Sequence, residues 1–540
     1  MRIFLNYKLL ALISFLFFTC QNEPVVCDLL IYNGTIYDGS GNNPYVGSVG
    51  ITDDKIIYVG KNTRFEADTI IDATALSVSP GFINMLSWAY SSLMEDGRSL
   101  SDLKQGVTLE VFGEGASPGP YVKDGERHSF KEAMEALENS GVSTNIASFL
   151  GATTARMMEV GFENRPATDN EMQKMRKMVK QSMEEGAMGI GSSLIYAPAD
   201  YAPTEELIEL CKVASEKGGM YISHMRNEDN LLMEALEELI TISREADIPA
   251  EIYHLKASRE ANWHLLDSLI KRVEQVREEG LEITADIYTY NASSTGLTGV
   301  IPTWVQEGGH RAWINRMKDS KIRPRLLNDI RKQLAEQPPE GILMVGFNNP
   351  EMSKKYLAKT IAEAASTRGQ SPEEAIVDMV IEDDSRIQCI YFSMSEENIR
   401  KKIQLPWVSF DSDAGSYSDI SEDFITHPRA FGSFIRVIGK YTRDEGLLEL
   451  EEAIRKLSGL PAENLGISDR GLLKENYFAD VVIFDPNNVR DNATFEEPLQ
   501  YAEGIENVFV NGVEVISNGE HTGEYPGRFI KGAGYNSGGN

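Results

Sequence analysis

His224, His254 and Asp413 each close a short apolar run: Gly219-Met220-Tyr221-Ile222-Ser223-His224, Ala250-Glu251-Ile252-Tyr253-His254 and Trp407-Val408-Ser409-Phe410-Asp411-Ser412-Asp413. Two imidazoles and a carboxylate are the residue types that hold a hydrolytic metal and move a proton beside it. In a chain that alternates strands with helices, a polar residue at the carboxyl end of a strand faces the mouth of a parallel barrel, where such barrels carry their chemistry. The three positions together predict a zinc-dependent hydrolase.

The elements that must place them are visible as alternating patterns. Val78-Ser79 into Phe82-Ile83, Val107 to Val111, Asn145 to Phe149, Met188 to Gly191 and Ile283 to Tyr288 read as further strands, and segments such as 171–185 and 231–246 carry apolar residues at helical spacing. This predicts an α/β fold, a TIM-like (β/α)8 barrel over residues 79–460. Residues 28–78 and 461–527 are β-rich with turn punctuation and predict one small composite β-sandwich domain built from both ends of the chain. Residues from about 303 to 400 exceed a normal strand-to-helix connection and predict an inserted helical subregion. Residues 528–540, Gly-rich from Gly532, read as a disordered tail.

The formal charge of −30, from 82 acidic against 52 basic residues, excludes an extended basic surface for nucleic acid or anionic lipid. Residues 1–20 have the layout of a targeting segment: Arg2 and Lys8, an apolar stretch from Leu9 to Phe18, then Thr19-Cys20. Phe17-Phe18-Thr19-Cys20 resembles a bacterial lipoprotein box, which predicts export and an envelope protein anchored through lipid on Cys20; a plain secretory signal is the alternative. Cys27, Cys211 and Cys389 have no paired spacing and form no metal knuckle or disulfide framework.

Several motifs carry a family resemblance. They are Asn33-Gly34 with Tyr37-Asp38-Gly39, Ser79-Pro80-Gly81-Phe82-Ile83-Asn84, Gly106-Val107-Thr108, Ile222-Ser223-His224-Met225-Arg226, Tyr253-His254-Leu255-Lys256, Ser412-Asp413, and Gly471 with Ala479-Asp480-Val481-Val482-Ile483-Phe484-Asp485. Over about residues 28–527 the chain resembles the amidohydrolase superfamily, and within it the D-aminoacylases, the N-acyl-D-amino-acid deacylases. The resemblance implies His224 and His254 as metal ligands and Asp413 as proton carrier; Asp411, two residues earlier, faces the same side of a strand, but the Ser-Asp match favours Asp413. It also implies Tyr196, Lys256, Tyr288, Tyr290 and Ser293 at the substrate. His427 resembles a histidine that recurs in the family shortly after the catalytic aspartate, placed to orient substrate or close the site; a structural loop role fits it equally. Arg226 and Arg429 are further candidates for a substrate carboxylate, from charge and position alone.

Two departures from the family matter. The superfamily's first strand carries a His-x-His pair that ligates a metal; here Leu86 and Trp88 stand in those places, and neither side chain ligates zinc. A two-metal mechanism is therefore not expected. In Gly113-Glu114-Gly115-Ala116-Ser117, alignment on Gly115 and Ser117 puts Glu114 where the D-aminoacylases have a cysteine ligand. A glutamate oxygen is an acceptable zinc ligand, so Glu114, His224 and His254 would hold one Zn2+ per chain; a helix cap is the alternative use of Glu114. The implied activity is hydrolysis of N-acyl-D-amino acids to a carboxylate and a D-amino acid. Other amides, such as an isoaspartyl dipeptide or a cyclic amide, and a barrel that binds without turnover remain open.

Overall fold

The structure, a computed structural model, describes residues 24–61, 63–418 and 425–536. The targeting segment and Cys20 lie outside the described residues. Eight parallel strands form the barrel: Phe82–Asn84, Val107–Phe112, Asn145–Ser148 continued by Leu150–Gly151, Gly189–Ser193, Met220–His224, Ala250–Ile252, Ile283–Ile287 and Val408–Phe410. The ring closes where the Met85 amide donates to the Phe410 carbonyl at 3.4 Å and Ser87 bridges Ala414. Several strands split their residues between two cores. Ile83, Leu109, Val111, Phe149 and Ile222 pack inside the barrel, while Phe112, Ile190, Tyr221, Ala250 and Val408 pack outward against the helices. That is the period-two alternation of a strand buried on both faces.

This alternation aims the chemistry. Ile222 points inward, so His224, two residues on, does too. The Ala250–Ile252 strand turns Glu251 and Tyr253 inward, which would leave His254 facing out. Its φ of 35° breaks the alternation at that residue. Asp413 has φ 45° at the corresponding place after the last strand. Left-handed backbone at a non-glycine residue is costly, and His254 and Asp413 are two of the residues that adopt it. The Asp286 carboxylate accepts the His254 amide, and the Leu86 carbonyl accepts the Asp413 amide at 2.9 Å, which holds both bends.

The two chain ends build one nine-stranded sheet. Ser77–Pro80 joins them, pairing parallel with Val25–Ile36 and antiparallel with Val481–Phe484. Ile31, Ile36, Val49, Val78, Val481 and Phe509 share one core, so the sheet packs on itself as the composite β-sandwich beside the barrel. The insertion starts at Ser293, not at about residue 303. Strands Ser293–Gly296, Ile342–Gly346 and Gln388–Tyr391 form a small antiparallel sheet, and five longer helices complete a separate core that includes Leu297, Trp313, Ile330, Ile376 and Tyr391. Short polar strands such as Ser293–Gly296 lack the apolar run that marks a strand in sequence. Residues 528–536 correct the expectation of a disordered tail: Phe529 is buried against Phe130, and the Ile530 and Gly532 amides donate to Ile146 and Gly186 carbonyls. One aromatic anchor and glycines that allow close backbone approach outweigh a composition typical of loose ends.

Candidate metal centre

Glu114 follows the Val107–Phe112 strand through Gly113, whose φ is 113° and where a Cβ would sit 2.5 Å from the Phe149 carbonyl oxygen, leaving no room for a side chain. No helix starts at Glu114, so it is not a cap. Instead its Oε1 lies 2.8 Å from His224 Nδ1 and 3.2 Å from His254 Nε2. The two imidazoles meet edge to face with centroids 4.4 Å apart. Glu114, His224 and His254 are all buried, and one donor atom from each falls within 4.8 Å of the others, close enough to share an ion.

A fourth residue, Glu228, completes the cluster from the other side. Its carboxylate lies 3.3 Å from His254 Nδ1 and 3.5 Å from His224 Nε2, and 2.8 Å from the Lys256 ammonium. Each imidazole thus turns one nitrogen to Glu114 and the other to Glu228. This is the layout of a ligand set backed by an orienting carboxylate. Sequence reasoning missed Glu228; its one local sign is the four-residue spacing after His224.

Burial pushes the Glu114 carboxyl up, but hydrogen bonds from His224 and His254 prevail and hold it well below the usual carboxylate range. The same holds for Glu228, where burial is outweighed by His224, Lys256 and His254. Burial and Lys256 oppose charge on His254, yet the two glutamates lift its pKa to about 9. Two ionised carboxylates on either side of the imidazoles make a centre that attracts positive charge, which a divalent metal would supply. One carboxylate and two imidazoles are a donor set that zinc accepts.

Asp413 stands next to this cluster. Its Oδ2 pairs with Arg429 Nη1 at 2.7 Å, and its Oδ1 accepts from Trp88 Nε1 at 3.2 Å. Burial raises its pKa, with Arg429 and His254 opposing. Asp411 faces the sealed barrel interior, where burial and Asp413 push its carboxyl up to about 7.

A cavity of about 1460 Å³ opens over the cluster, between barrel and insertion. Tyr196, Lys256, Ser293, His427 and Arg429 line it together with Glu114, His224, His254 and Asp413. Lys256 is committed, with Nζ 2.7 Å from His254 Nδ1 as well as on Glu228. His427 donates to the Ala292 carbonyl and accepts the Arg429 amide at 3.0 Å; burial and Arg429 hold it well below its usual pKa, so it positions Arg429 as a neutral ring. Three candidates lie behind the wall. Arg226 is bound bidentately to Glu238 and to the Asp200 and Ala202 carbonyls. Tyr288 lies under the Arg429 guanidinium at 4.6 Å, and Tyr290 donates to the Ala493 carbonyl at 3.1 Å. A charged or aromatic residue near a site motif is as useful for bracing as for contact, and sequence alone does not separate the two. The insertion instead brings Arg386 to the cavity. It donates to Thr298 Oγ1 at 3.0 Å, lies 5.4 Å over the Tyr196 ring and makes no ion pair among the described residues.

A parallel barrel with a composite β domain and a His, His, carboxylate cluster at its mouth defines a hydrolase of the amidohydrolase class. The amidohydrolase family model matches residues 142–516, and the chain belongs to that family. It is similar to a D-aminoacylase of Alcaligenes xylosoxydans xylosoxydans, 31% identical over 94% of this chain and 99% of the relative. A solved N-acyl-D-glutamate deacylase from Bordetella bronchiseptica, complexed with zinc and a phosphonate mimic of the tetrahedral intermediate, superposes with TM-score 0.78 at 27% identity over 94% and 99% of the two chains. A solved D-aminoacylase, described by its binuclear metal centre with one-metal activation and second-metal attenuation, superposes with TM-score 0.78 at 30% identity over 94% and 100%.

Proposed function

We propose that the protein is a zinc-dependent deacylase of N-acyl-D-amino acids, holding one zinc per chain on Glu114, His224 and His254 and using Asp413 as its proton carrier. The observation that carries this is the convergence of one Glu114 oxygen on both imidazoles, with Asp413 beside it at the floor of a cavity large enough for an acylated amino acid. The chemistry supplied on metal binding is polarisation of the scissile carbonyl and activation of water near neutral pH. Asp413, made more basic by burial, takes the proton of the attacking water and returns it to the departing amine. Arg429 fixes the Asp413 carboxylate from the far side, and Glu228 orients both imidazoles. Arg386, with the hydroxyls of Ser293, Thr295 and Tyr196 on the same wall, receives the substrate carboxylate. The D-configuration is supported by the activities named for the relatives.

On the pattern of its first twenty residues the protein is exported and held at the bacterial envelope through lipid on Cys20, meeting small-molecule substrates there. The test is zinc content per chain measured alongside release of free amino acid from matched N-acetyl-D- and N-acetyl-L-amino acids. About one zinc with D-selective release is expected. Bound zinc without release would transfer the same centre to another amide, and absence of both would leave a binding barrel.

A further inference from the structure

Trp88 is 47% exposed, and its indole opens on the cavity floor. Its backbone is locked to the loop that carries Asp413: the Trp88 amide donates to the Ala414 carbonyl at 2.9 Å, Ser87 bridges Ala414, and the Asp413 amide donates to the Leu86 carbonyl at 2.9 Å. The side chain is therefore placed by the same backbone pairing that closes the barrel. From there Nε1 donates to two carboxylates at once, Glu114 Oε2 at 3.0 Å and Asp413 Oδ1 at 3.2 Å. Glu114 uses its other oxygen for the two imidazoles, and Asp413 uses its other oxygen for Arg429.

Two carboxylates that face one another, Glu114 buried and Asp413 partly so, repel, and the gap between them is the natural place for a cation. Here an N–H dipole fills it. An indole nitrogen donates but has no lone pair to ligate with, and Leu86 next to it is fully buried in the barrel core. We propose that Trp88 is a positioning residue standing in for a second metal: its N–H bridges Glu114 and Asp413, holds the Asp413 carboxylate in line with the reacting bond, and restricts the centre to one ion. This rests on the zinc-deacylase function proposed above.

The experiment compares the wild type with Trp88→Phe and Trp88→His, reading zinc per chain after equilibration with excess ZnCl2 together with kcat and KM. The wild type is expected to hold one zinc and lose no activity in excess metal. Trp88→Phe keeps an aromatic ring and loses the donor; it should retain one zinc and lose about tenfold in kcat with little change in KM, since a hydrogen bond that aligns the proton carrier is gone while the substrate contacts stay. Trp88→His should take up a second zinc between the introduced imidazole, Glu114 and Asp413. A second zinc in the wild type, an unchanged kcat in Trp88→Phe, or no added zinc in Trp88→His would each overturn the proposal. Zinc in the wild type without release of amino acid would sink the deacylase function alone, leaving the zinc difference between variants to decide the role of Trp88.

Discussion

On one side of the barrel mouth, the Met220–His224 and Ala250–Ile252 strands run into imidazoles that share a Glu114 oxygen. On the other side, the Phe82–Asn84 strand runs into Met85, Leu86 and Trp88, two buried apolar side chains and one N–H donor. Both sides emerge from the same parallel barrel and both border Glu114. The comparison teaches that metal capacity belongs to individual strand ends rather than to the fold. Here one strand end offers no ligand while two others bring imidazoles together, and the Trp88 N–H satisfies the carboxylates on the ligand-free side.

The contrast breaks most severely at the imidazoles. His224→Ala should release the zinc and abolish turnover, as read by metal analysis and amino-acid release; retained zinc would show that the ligands lie elsewhere. Asp413→Asn should keep its zinc while kcat falls by about 10³-fold, because an amide cannot carry the proton. Turnover near wild type would remove Asp413 from the chemistry. Glu228→Gln sharpens the contrast from behind, and competition with a chelator should show zinc affinity weakened about 10–100-fold. Arg386→Ala should raise KM about tenfold with kcat nearly unchanged, since the lost charge-assisted hydrogen bond serves the substrate carboxylate and not the reacting bond. An unchanged KM would move the carboxylate clamp to Arg429.

The smallest effect lies beneath the centre. Asp411 ionises near 7 in the folded protein because burial and Asp413 disfavour its charge, against about 3.9 in an unfolded chain. Between those values the folded state binds more protons than the unfolded one, so stability falls as pH rises from about 4 to 7. Asp411→Asn should flatten that slope in denaturant melts at several pH values, whatever it does to the absolute midpoint.

Much of this was legible in the chain. The strands that carry His224, His254 and Asp413 announce themselves because run length and a terminal polar residue are local properties. Glu114 entered through motif alignment, and its carboxylate does reach both histidines. Glu228 and Arg386 were not visible. Glu228 sits in a loop after a strand, with nothing local to distinguish it from a solvated acid, and Arg386 comes from an insertion that folds around its own core. Arg226 erred in the opposite direction: adjacent to a site motif, it turns to Glu238 and spends its charge on bracing.

What the sequence determined by itself is the chemistry each position can offer. Leucine and tryptophan at 86 and 88 cannot ligate, imidazoles at 224 and 254 can, and no packing alters that. What the tertiary structure alone decided is convergence. Glu114 meets His224 across 110 residues of chain, and Trp88 meets Asp413 across 325. Such contacts depend on closure of the barrel, on a left-handed residue at His254 that reverses the alternation of its strand, and on a second left-handed residue at Asp413. The physical reason is range: ligand type is carried by a single side chain, whereas a shared oxygen or a bridging N–H requires several strand ends to be fixed to within a fraction of an ångström at once.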